Sequence, residues 1–379
     1  MTKDEICHLI KSYLLEGHGV ILTGCHGIGK KTFVCSTFPE TEKLFGKSFL
    51  NVSSWKRDDF YRNIMNSQMN FSEVIFCIPD LFRLEDWFSL INLLFDHHIL
   101  FLASSDFLIP LDNPEYSSIA GRFKEINVGS LDYRDWKKDN MVLPYSSFCL
   151  NDYPNYIKDE TLLTIIKNGL PNSKDPEKLG ANLLATLKLI LKCRGTGLSL
   201  NSLSKRAGYS VNTIAGYRKE LINRNLLYPI KRENLNKKDN VNPKSIFYPA
   251  YNSFYQFSES DLAEKANIET IYVSKLISKL LSYCYQVSSG YLYSTMPGVK
   301  NRYQECGLVL KKDKRVIYRQ YGEKYDEIRA KPLLAIKNGN PKYYALLSGQ
   351  EMQILDNGIR LIGIDRLIKG DLKELEQWQ

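Results

Sequence analysis

The chain has 379 residues, of which 44% are hydrophobic and 25% are charged. This composition is ordinary for a soluble globular protein, and the length suffices for two or three domains with their own cores. The longest apolar stretch, 88–111, is interrupted by Asp96, His97, His98 and Asp106, so we expect no contact with a membrane.

The residues near the amino terminus and the cysteines indicate the compartment. Asp4 and Glu5 stand where an export signal carries basic residues. The eight cysteines lie singly, without a Cys-x-x-Cys pair, and are expected to be reduced thiols. The sequence therefore predicts a cytoplasmic protein.

The net charge of +9 is concentrated in one segment. Between Lys188 and Lys244, thirteen Lys or Arg residues stand against three acidic residues. A basic segment of this kind favours a polyanionic partner such as DNA. A solvated lysine-rich surface is the alternative.

Strands and helices alternate through the first third of the chain. Apolar residues at helical spacing predict a helix over 3–16, and further helical stretches are expected at 30–36, at 56–70 and around Trp87. Apolar runs between them predict strands at Gly19–Thr23, Ser48–Val52, Glu73–Asp80, Ile99–Ser105 and Ile126–Val128. Such alternation is typical of an α/β fold with a parallel, helix-covered sheet.

The first strand leads into a glycine-rich sequence and then into a helix. The spacing Gly24-x-x-x-x-Gly29-Lys30 is that of a phosphate-binding loop, in which backbone N–H groups surround an anion and the lysine reaches the β- and γ-phosphates. The predicted phosphate contacts are Gly24, Gly27, Ile28, Gly29, Lys30, Lys31 and Thr32. An ordinary glycine-rich turn is the alternative.

Three candidate residues, Gly24, Asp80 and Ser104, fall at the carboxyl ends of predicted strands. Ligands of parallel sheets bind at that edge, so we expect one shared site to which Ser104 contributes. Cys25 and His26 are interpreted as fillers at permissive loop positions, and His97-His98 as a solvated turn.

The order of these motifs resembles the AAA-type P-loop ATPases of bacteria and archaea that carry a middle helix-turn-helix and a C-terminal domain of unknown function. The family's loop reads roughly GxRxxGKTT, and its second motif is an apolar run, then Asp-Glu, then a Trp that corresponds to Trp87. The sensor strand is similar to Leu102–Ser105, and the family's Gly-Arg is similar to Gly121-Arg122. The resemblance covers most of residues 1–230 and implies a P-loop fold, ATP as the ligand and homo-oligomers.

Two positions that hold Mg²⁺ in this family are changed. The loop hydroxyl is replaced by Lys31, which has no acceptor atom, and the family's Asp falls on Pro79, which has no side-chain oxygen. Phosphoryl transfer depends on that metal, so we expect ATP binding with weak or absent hydrolysis and no metal site. Lys31 would place an ammonium where the metal's charge would have been. The interpretation changes if Asp58, Asp59 or Asp106 holds Mg²⁺ instead.

Two residues are candidates for catalysis by resemblance. Asp80 falls on the family's Glu and would orient a water as the base. Arg122 is similar to the family's sensor or finger at the γ-phosphate, and a surface salt bridge is the alternative.

A helix-turn-helix is predicted over Leu200–Ile222. A short helix ends at Ala207, Gly208 lies in the turn, and Ser210 caps the second helix. Its core would contain Leu203, Ala207, Ile214, Leu221 and Leu226. The candidates for nucleic-acid contact are Asn212, Thr213, Tyr217, Arg218 and Lys219. Docking against another protein is the alternative.

The last part of the chain follows a linker predicted at 233–244. It contains an amphipathic helix, Ile268–Leu281, and several strand-like pieces. The resemblance implies a restriction-endonuclease-type fold whose acidic residues gather a metal. The corresponding positions here, Glu305-Cys-Gly307 and then Ile317–Gln320 or Ala335–Lys337, lack the acids. We therefore expect no nuclease activity, unless Asp326-Glu327 compensates.

The predicted architecture has three parts. An α/β P-loop NTPase parallel sheet occupies 1–150, a helical lid with a winged helix-turn-helix 151–240, and an endonuclease-like α+β domain 241–379. The predicted function is an AAA-like, ATP-binding switch or assembly factor with DNA as a candidate partner. The alternative is a DNA-binding or scaffold protein whose loop is a relic.

Overall fold

The fold is taken from a computed structural model of the chain. The residues that it describes are 1–36, 47–52, 55, 57–66, 73–84, 86–109, 118–130, 132–139, 141, 148, 163–164, 166–167, 175–193, 199–234, 246–252, 254, 268–283, 285–294, 302–312, 315–322, 342–347, 353–354, 360–370 and 372. In this described part, no helix has the length and apolar character needed to cross a bilayer.

The chain divides into two compact units. The first consists of Met1–Gly129 together with Asn223–Asn225, and the second of Ser130–Ile222 and Leu226–Gln379. Most of 151–175, the first part of the predicted lid, lies outside the described residues.

The first unit is built on a parallel sheet. Its described strands are β1 (Gly19–Thr23), β2 (Ser48–Asn51), β3 (Val74–Ile78), β4 (Leu100–Ser105) and β5 (Phe123–Asn127), in the order β2-β3-β4-β1-β5. The helices between them are α1 (Lys3–Leu15), α2 (Lys30–Ser36), α3 (Arg57–Asn66) and α4 (Trp87–Asp96). All four strand pairings are parallel. The predicted alternation is confirmed, and this unit is an α/β fold with a five-stranded parallel sheet.

Successive side chains of the central strands point to opposite faces of this sheet, and both faces are packed with apolar residues. On one face Ile21, Phe76 and Phe101 pack with Trp87 and Ile91 of α4. On the other face the apolar stripe of α1 covers the sheet; its buried residues are Ile6, Ile10 and Leu14. Because both faces are covered, each central strand reads as an unbroken apolar run.

The second unit contains the predicted pair of helices. After α5 (Tyr133–Asp139) and α6 (Pro176–Leu191), the pair consists of α7 (Leu200–Ala207) and α8 (Val211–Asn223). Gly208 ends α7 with φ of 72°, a conformation that glycine adopts without strain. The Ser210 hydroxyl accepts a hydrogen bond from the Thr213 N–H at 3.1 Å, so the predicted cap is confirmed.

A mixed sheet forms the rest of the second unit. Its described strands are β6 (Leu227–Asn234), β7 (Ile246–Pro249), β8 (Gln286–Ser294), β9 (Arg302–Lys312), β10 (Arg315–Gly322), β11 (Lys342–Leu347), β12 (Gln353–Ile354) and β13 (Arg360–Gly363). Their order is β12-β13-β11-β10-β9-β8-β6-β7. Helices α9 (Ile268–Ser282) and α10 (Ile364–Lys369) accompany it. The strand-like piece at 333–336 lies outside the described residues.

Helix α9 is not the simple amphipathic helix that its sequence predicts. Its polar residues are buried as well, among them Ser274, Lys275, Ser278, Lys279 and Ser282. The Lys275 ammonium donates to the Ser130 hydroxyl at 2.9 Å, and that of Lys279 to the Ile368 carbonyl at 2.8 Å. Polar groups can be buried at low cost when they are hydrogen-bonded in this way.

A buried carboxylate lies at the start of α5, which begins at Tyr133. The Asp132 carboxylate accepts a hydrogen bond from the Arg134 N–H at 2.9 Å. Burial alone would raise the pKa of Asp132, but Arg134 and Lys279 beside it lower that pKa instead. The ionised carboxylate therefore stabilises the start of the helix.

Candidate functional site

The loop between β1 and α2 has the backbone that its glycines predict. Gly24, Gly27 and Gly29 have φ of 154°, 83° and 88°. A Cβ on Gly24 would lie 2.6 Å from the Val128 carbonyl oxygen, which is a backbone atom. Only glycine fits there, because β5 passes so close to the loop.

The Lys30 side chain folds back into this loop. It is 3% exposed, and its Nζ donates to the carbonyl oxygens of Gly24 at 2.8 Å and Cys25 at 2.7 Å. A third bond joins Nζ to the Asp106 Oδ1 at 2.7 Å. The ammonium is thus held at the mouth of the glycine loop, with a carboxylate as its counter-ion.

Asp106 joins the loop to the end of β4. Its Oδ2 lies 2.5 Å from the His26 Nδ1, so its two oxygens contact two different loop residues. Burial alone would raise the pKa of Asp106, but His26 and Lys30 together hold that pKa at about 2. Asp106 is therefore ionised at neutral pH.

These contacts correct one sequence interpretation. His26 is not a mere filler, because it pairs with a carboxylate that is 80 residues away in the chain. Cys25 is buried, and burial raises the pKa of its thiol to about 12, which agrees with its interpretation as a filler. The role of Asp106 as a metal ligand was an open alternative; here its oxygens face Lys30 and His26.

The carboxyl ends of β3 and β4 lie at the same edge of the sheet as the loop. Asp80 follows β3 after Pro79 and is half-buried. Because β4 lies between β3 and β1, about 10 Å of sheet separates β3 from the strand that leads into the loop. The Ser104 hydroxyl donates to the Pro79 carbonyl oxygen, and so it links the two strand ends. The structure thus brings Gly24, Asp80 and Ser104 to one edge, as predicted.

Arg122 lies at the opposite edge of the sheet. It directly precedes β5, whose Phe123 pairs with Gly19 at the start of β1. The length of β1, about 16 Å for its five residues, separates Arg122 from the loop. Its guanidinium pairs with Asp96 at 2.8 Å and lies 4.7 Å from the centre of the Phe95 ring. Arg122 therefore lies away from the glycine loop of its own chain and forms a surface salt bridge, and its role as a sensor or finger stays a prediction.

A cavity of about 420 Å³ also lies at this opposite edge. It is lined by Leu14, Gly19, Phe95, Phe101 and Arg122, among others. Because β1 separates it from the glycine loop, we assign it no part in binding phosphate.

The two positions that hold Mg²⁺ in the resembled family, Lys31 and Pro79 here, carry no side-chain oxygen. Lys31 and Thr32 are exposed on α2, and Pro79 contributes a carbonyl that already accepts from Ser104. Among the described residues, no group of three or more His, Cys, Asp or Glu side chains could hold a metal ion. The glycine loop has the positive-φ backbone expected of it, whereas Lys31 and Pro79 offer Mg²⁺ no side-chain ligand.

The predicted nucleic-acid residues on α8 fall into two groups. Asn212 and Lys219 are exposed. The other three are half-buried: the Tyr217 hydroxyl accepts from the Asn182 Nδ2 at 3.0 Å, and the Arg218 guanidinium lies 5.3 Å from the centre of the Phe247 ring. Burial lowers the pKa of Arg218. Tyr217 and Arg218 therefore contribute to packing inside the unit, contrary to their expected exposure.

The two proposed nuclease strands are present and adjacent. Glu305–Gly307 lie on β9 and Ile317–Gln320 on β10, and these strands pair antiparallel. The alternatives at 326–327 and 335–337 lie outside the described residues. The absence of nuclease activity stays a prediction.

Comparison with known proteins gives only distant likenesses. No protein-family model and no curated protein matches the chain. Among solved structures, the Thermotoga maritima RuvB Holliday junction branch migration motor is 15% identical over 60% of this chain and 88% of that chain, with a TM-score of 0.26. The Aeropyrum pernix Orc1 protein in complex with DNA is 9% identical over 70% and 94%, with a TM-score of 0.26. Protein VC1899 from Vibrio cholerae is 13% identical over 95% and 97%, with a TM-score of 0.25. These scores are too low to support an argument about function, and the α/β fold is established by this chain's own parallel sheet.

Proposed function

We propose that this protein binds ATP through the loop Gly24–Lys30 and that binding does not require Mg²⁺. The observation that carries the proposal is the Lys30 ammonium, buried at the end of a loop in which Gly24 cannot be replaced. A buried cation beside a run of glycine N–H groups suits a polyphosphate. The choice of adenine rests on the sequence resemblance.

Hydrolysis is proposed to be slow or absent. Lys31 and Pro79 supply no metal ligand, and phosphoryl transfer relies on Mg²⁺ to neutralise the developing charge. Asp80 remains as a candidate base for water. The bound nucleotide would then act as a switch or an assembly signal, and not as a source of energy through hydrolysis.

A calorimetric titration tests the binding. Wild-type protein is titrated with ATP in EDTA and then with Mg²⁺ present, next to Lys30→Met. Saturable binding in EDTA that Lys30→Met abolishes supports the proposal. Binding that appears only with Mg²⁺ would show that other acids hold the metal. Absence of binding in both conditions would leave the loop a relic.

Contact with DNA is a second proposal, favoured by exposed Asn212 and Lys219 on α8 and by the basic segment 188–244. Lys219→Ala should weaken DNA binding and reduce its salt dependence by about one ion. Glu220→Gln on the same helix is the control and should not weaken it. Salt-independent binding, or binding unchanged by Lys219→Ala, would oppose this proposal. Arg218→Ala is a poor test, because Arg218 packs over Phe247.

A further inference from the structure

The Lys30 ammonium has a carboxylate as its counter-ion. Its ammonium and the Asp106 carboxylate are 2.7 Å apart, and the lysine side chain is 3% exposed. A polyphosphate that binds Lys30 must therefore separate the ammonium from this carboxylate. Otherwise the negatively charged carboxylate stays next to the negatively charged phosphate. Either outcome weakens binding relative to a loop without the carboxylate.

Asp106 is held from its other side as well. The His26 Nδ1 lies 2.5 Å from the second oxygen of Asp106. The carboxylate therefore bridges two residues of the loop, His26 and Lys30. The carboxylate itself is 30% exposed, and it can therefore turn toward water when another anion replaces it on Lys30.

The backbone around Asp106 contacts a strap of three residues, Asn223–Asn225, which belongs to the same unit. The Leu108 N–H donates to the Asn223 carbonyl at 2.9 Å, and the Arg224 guanidinium lies 5.0 Å from the centre of the Phe107 ring. The Asn225 Nδ2 donates to the Asp106 carbonyl at 3.5 Å. The strap begins at Asn223, the last residue of α8.

The strap is packed but incompletely hydrogen-bonded. Asn225 is 1% exposed, and within the described part of the chain its Oδ1 has no hydrogen-bond partner. A buried acceptor without a partner is costly. A shift of the residues after β4 could supply that partner, so the strap is suited to a second arrangement.

We propose that Asp106 occupies the place of a phosphate on Lys30 and determines which nucleotides can bind, because the ligand must displace it. The proposal rests on nucleotide binding by the loop, proposed above. A triphosphate brings both its β- and γ-phosphates to the ammonium, whereas a diphosphate brings only its β-phosphate. Asp106 therefore selects for ATP over ADP, and its displacement shifts Asp106–Leu108 against the strap.

The test compares Asp106→Asn with wild type in metal-free titrations with ATP and ADP. The amide keeps the shape of the side chain and its hydrogen bond from Lys30 but removes the charge. We expect Asp106→Asn to bind ADP about tenfold more tightly, to gain less for ATP, and so to lose most of the preference for ATP. Asp96→Asn is the matched control, since it changes the net charge equally at the far edge of the sheet, and it should leave both affinities unchanged.

A second measurement needs no variant. Hydrogen exchange of wild-type protein should become several-fold faster at Asp106–Leu108 and at Asn223–Asn225 when ATP is bound, because the bond between Leu108 and Asn223 loosens. Exchange that is unchanged or slower there, while the loop becomes protected, would overturn the proposed displacement. Hydrogen exchange of the wild-type protein also tests the displacement of Asp106 if Asp106→Asn does not fold.

The outcomes separate the two proposals. If wild type binds ATP through Lys30 and Asp106→Asn binds both nucleotides as wild type does, Asp106 is no barrier and this inference fails alone. If Asp106→Asn binds and wild type does not, Asp106 is a barrier to nucleotides, but its selection of ATP over ADP fails together with nucleotide binding by the native chain. If neither protein binds, both proposals fail.

Discussion

The two edges of the first sheet carry ion pairs of almost the same length in very different surroundings. At the carboxyl edge, Lys30 and Asp106 are 2.7 Å apart, with side chains 3% and 30% exposed. At the amino edge, Arg122 and Asp96 are 2.8 Å apart, with side chains 25% and 62% exposed. Contact distance alone would rank the pairs as equal.

Burial and position distinguish them. Water screens an exposed pair, so its two members contribute little to stability. A buried ammonium without its carboxylate is costly, which makes the pair at the loop sensitive to any change. The buried pair also lies where the backbone can receive an anion, whereas the exposed pair only fastens the end of α4 to the start of β5. We therefore expect nucleotide binding by this chain's own loop at the carboxyl edge.

The largest effect is expected for Lys30→Met. It removes the cation that a phosphate would bind, so ATP affinity should fall by at least about a hundredfold. It also leaves Asp106 without its ammonium, and the free energy of unfolding should fall by about 3 kcal/mol. Calorimetry and urea denaturation measure the two effects. Arg122→Met is the counterpart at the other edge, and an equal loss there would contradict the distinction.

Gly24→Ala tests the close approach of β5 to the loop. The added Cβ would meet the Val128 carbonyl oxygen at 2.6 Å, so we expect a loss of about 2 kcal/mol and weaker ATP binding. Gly216→Ala is the control, because Gly216 lies in α8 with open space around it, and alanine should stabilise that helix by up to about 1 kcal/mol. Normal stability of Gly24→Ala would show that the loop tolerates a side chain.

Acid should remove the contribution of Asp106. Its pKa is about 2 in the folded protein against 3.8 ordinarily. A carboxylate with a lowered pKa stabilises the fold above pH 4, and that contribution is lost as the pH falls toward 2. The difference in unfolding free energy between wild type and Asp106→Asn should therefore be about 2 kcal/mol at pH 7 and vanish near pH 2. If the difference in unfolding free energy did not change with pH, the charge of the Asp106 carboxylate would not be what stabilises the folded protein.

The smallest effect is expected at the amino edge. Asp96→Asn should change the free energy of unfolding by no more than about 0.5 kcal/mol, because the pair is exposed. ATP affinity should remain within about twofold. A larger change in the free energy of unfolding or in ATP affinity would contradict this expectation. It would indicate that the pair at the amino edge is coupled to the loop at the carboxyl edge.

The strands, the glycine loop and helix α2 of the first unit could be predicted, because each depends on residues that are adjacent in the sequence. The strands β1, β3 and β4 follow from unbroken apolar runs, and the loop follows from the spacing of Gly24, Gly29 and Lys30. Helix α2 was predicted with the bounds that it has. The position of Arg122 could also have been found, since a residue before a parallel strand lies at the amino edge.

Contacts between distant residues could not be predicted in this way. The pairing of Asp106 with Lys30 and His26 depends on β4 lying beside β1, which the sequence does not state. The burial of Lys275 and Lys279 depends on acceptors brought to α9 from far along the chain. Tyr217 and Arg218 likewise look exposed until Asn182 and Phe247 are placed against them.

The most direct test is a titration of the wild-type protein with ATP in EDTA, beside Lys30→Met. We predict saturable binding, one nucleotide per chain, that needs no divalent metal and disappears in the variant. Wild-type protein that takes up no nucleoside triphosphate at millimolar concentration, with or without Mg²⁺, would contradict the account.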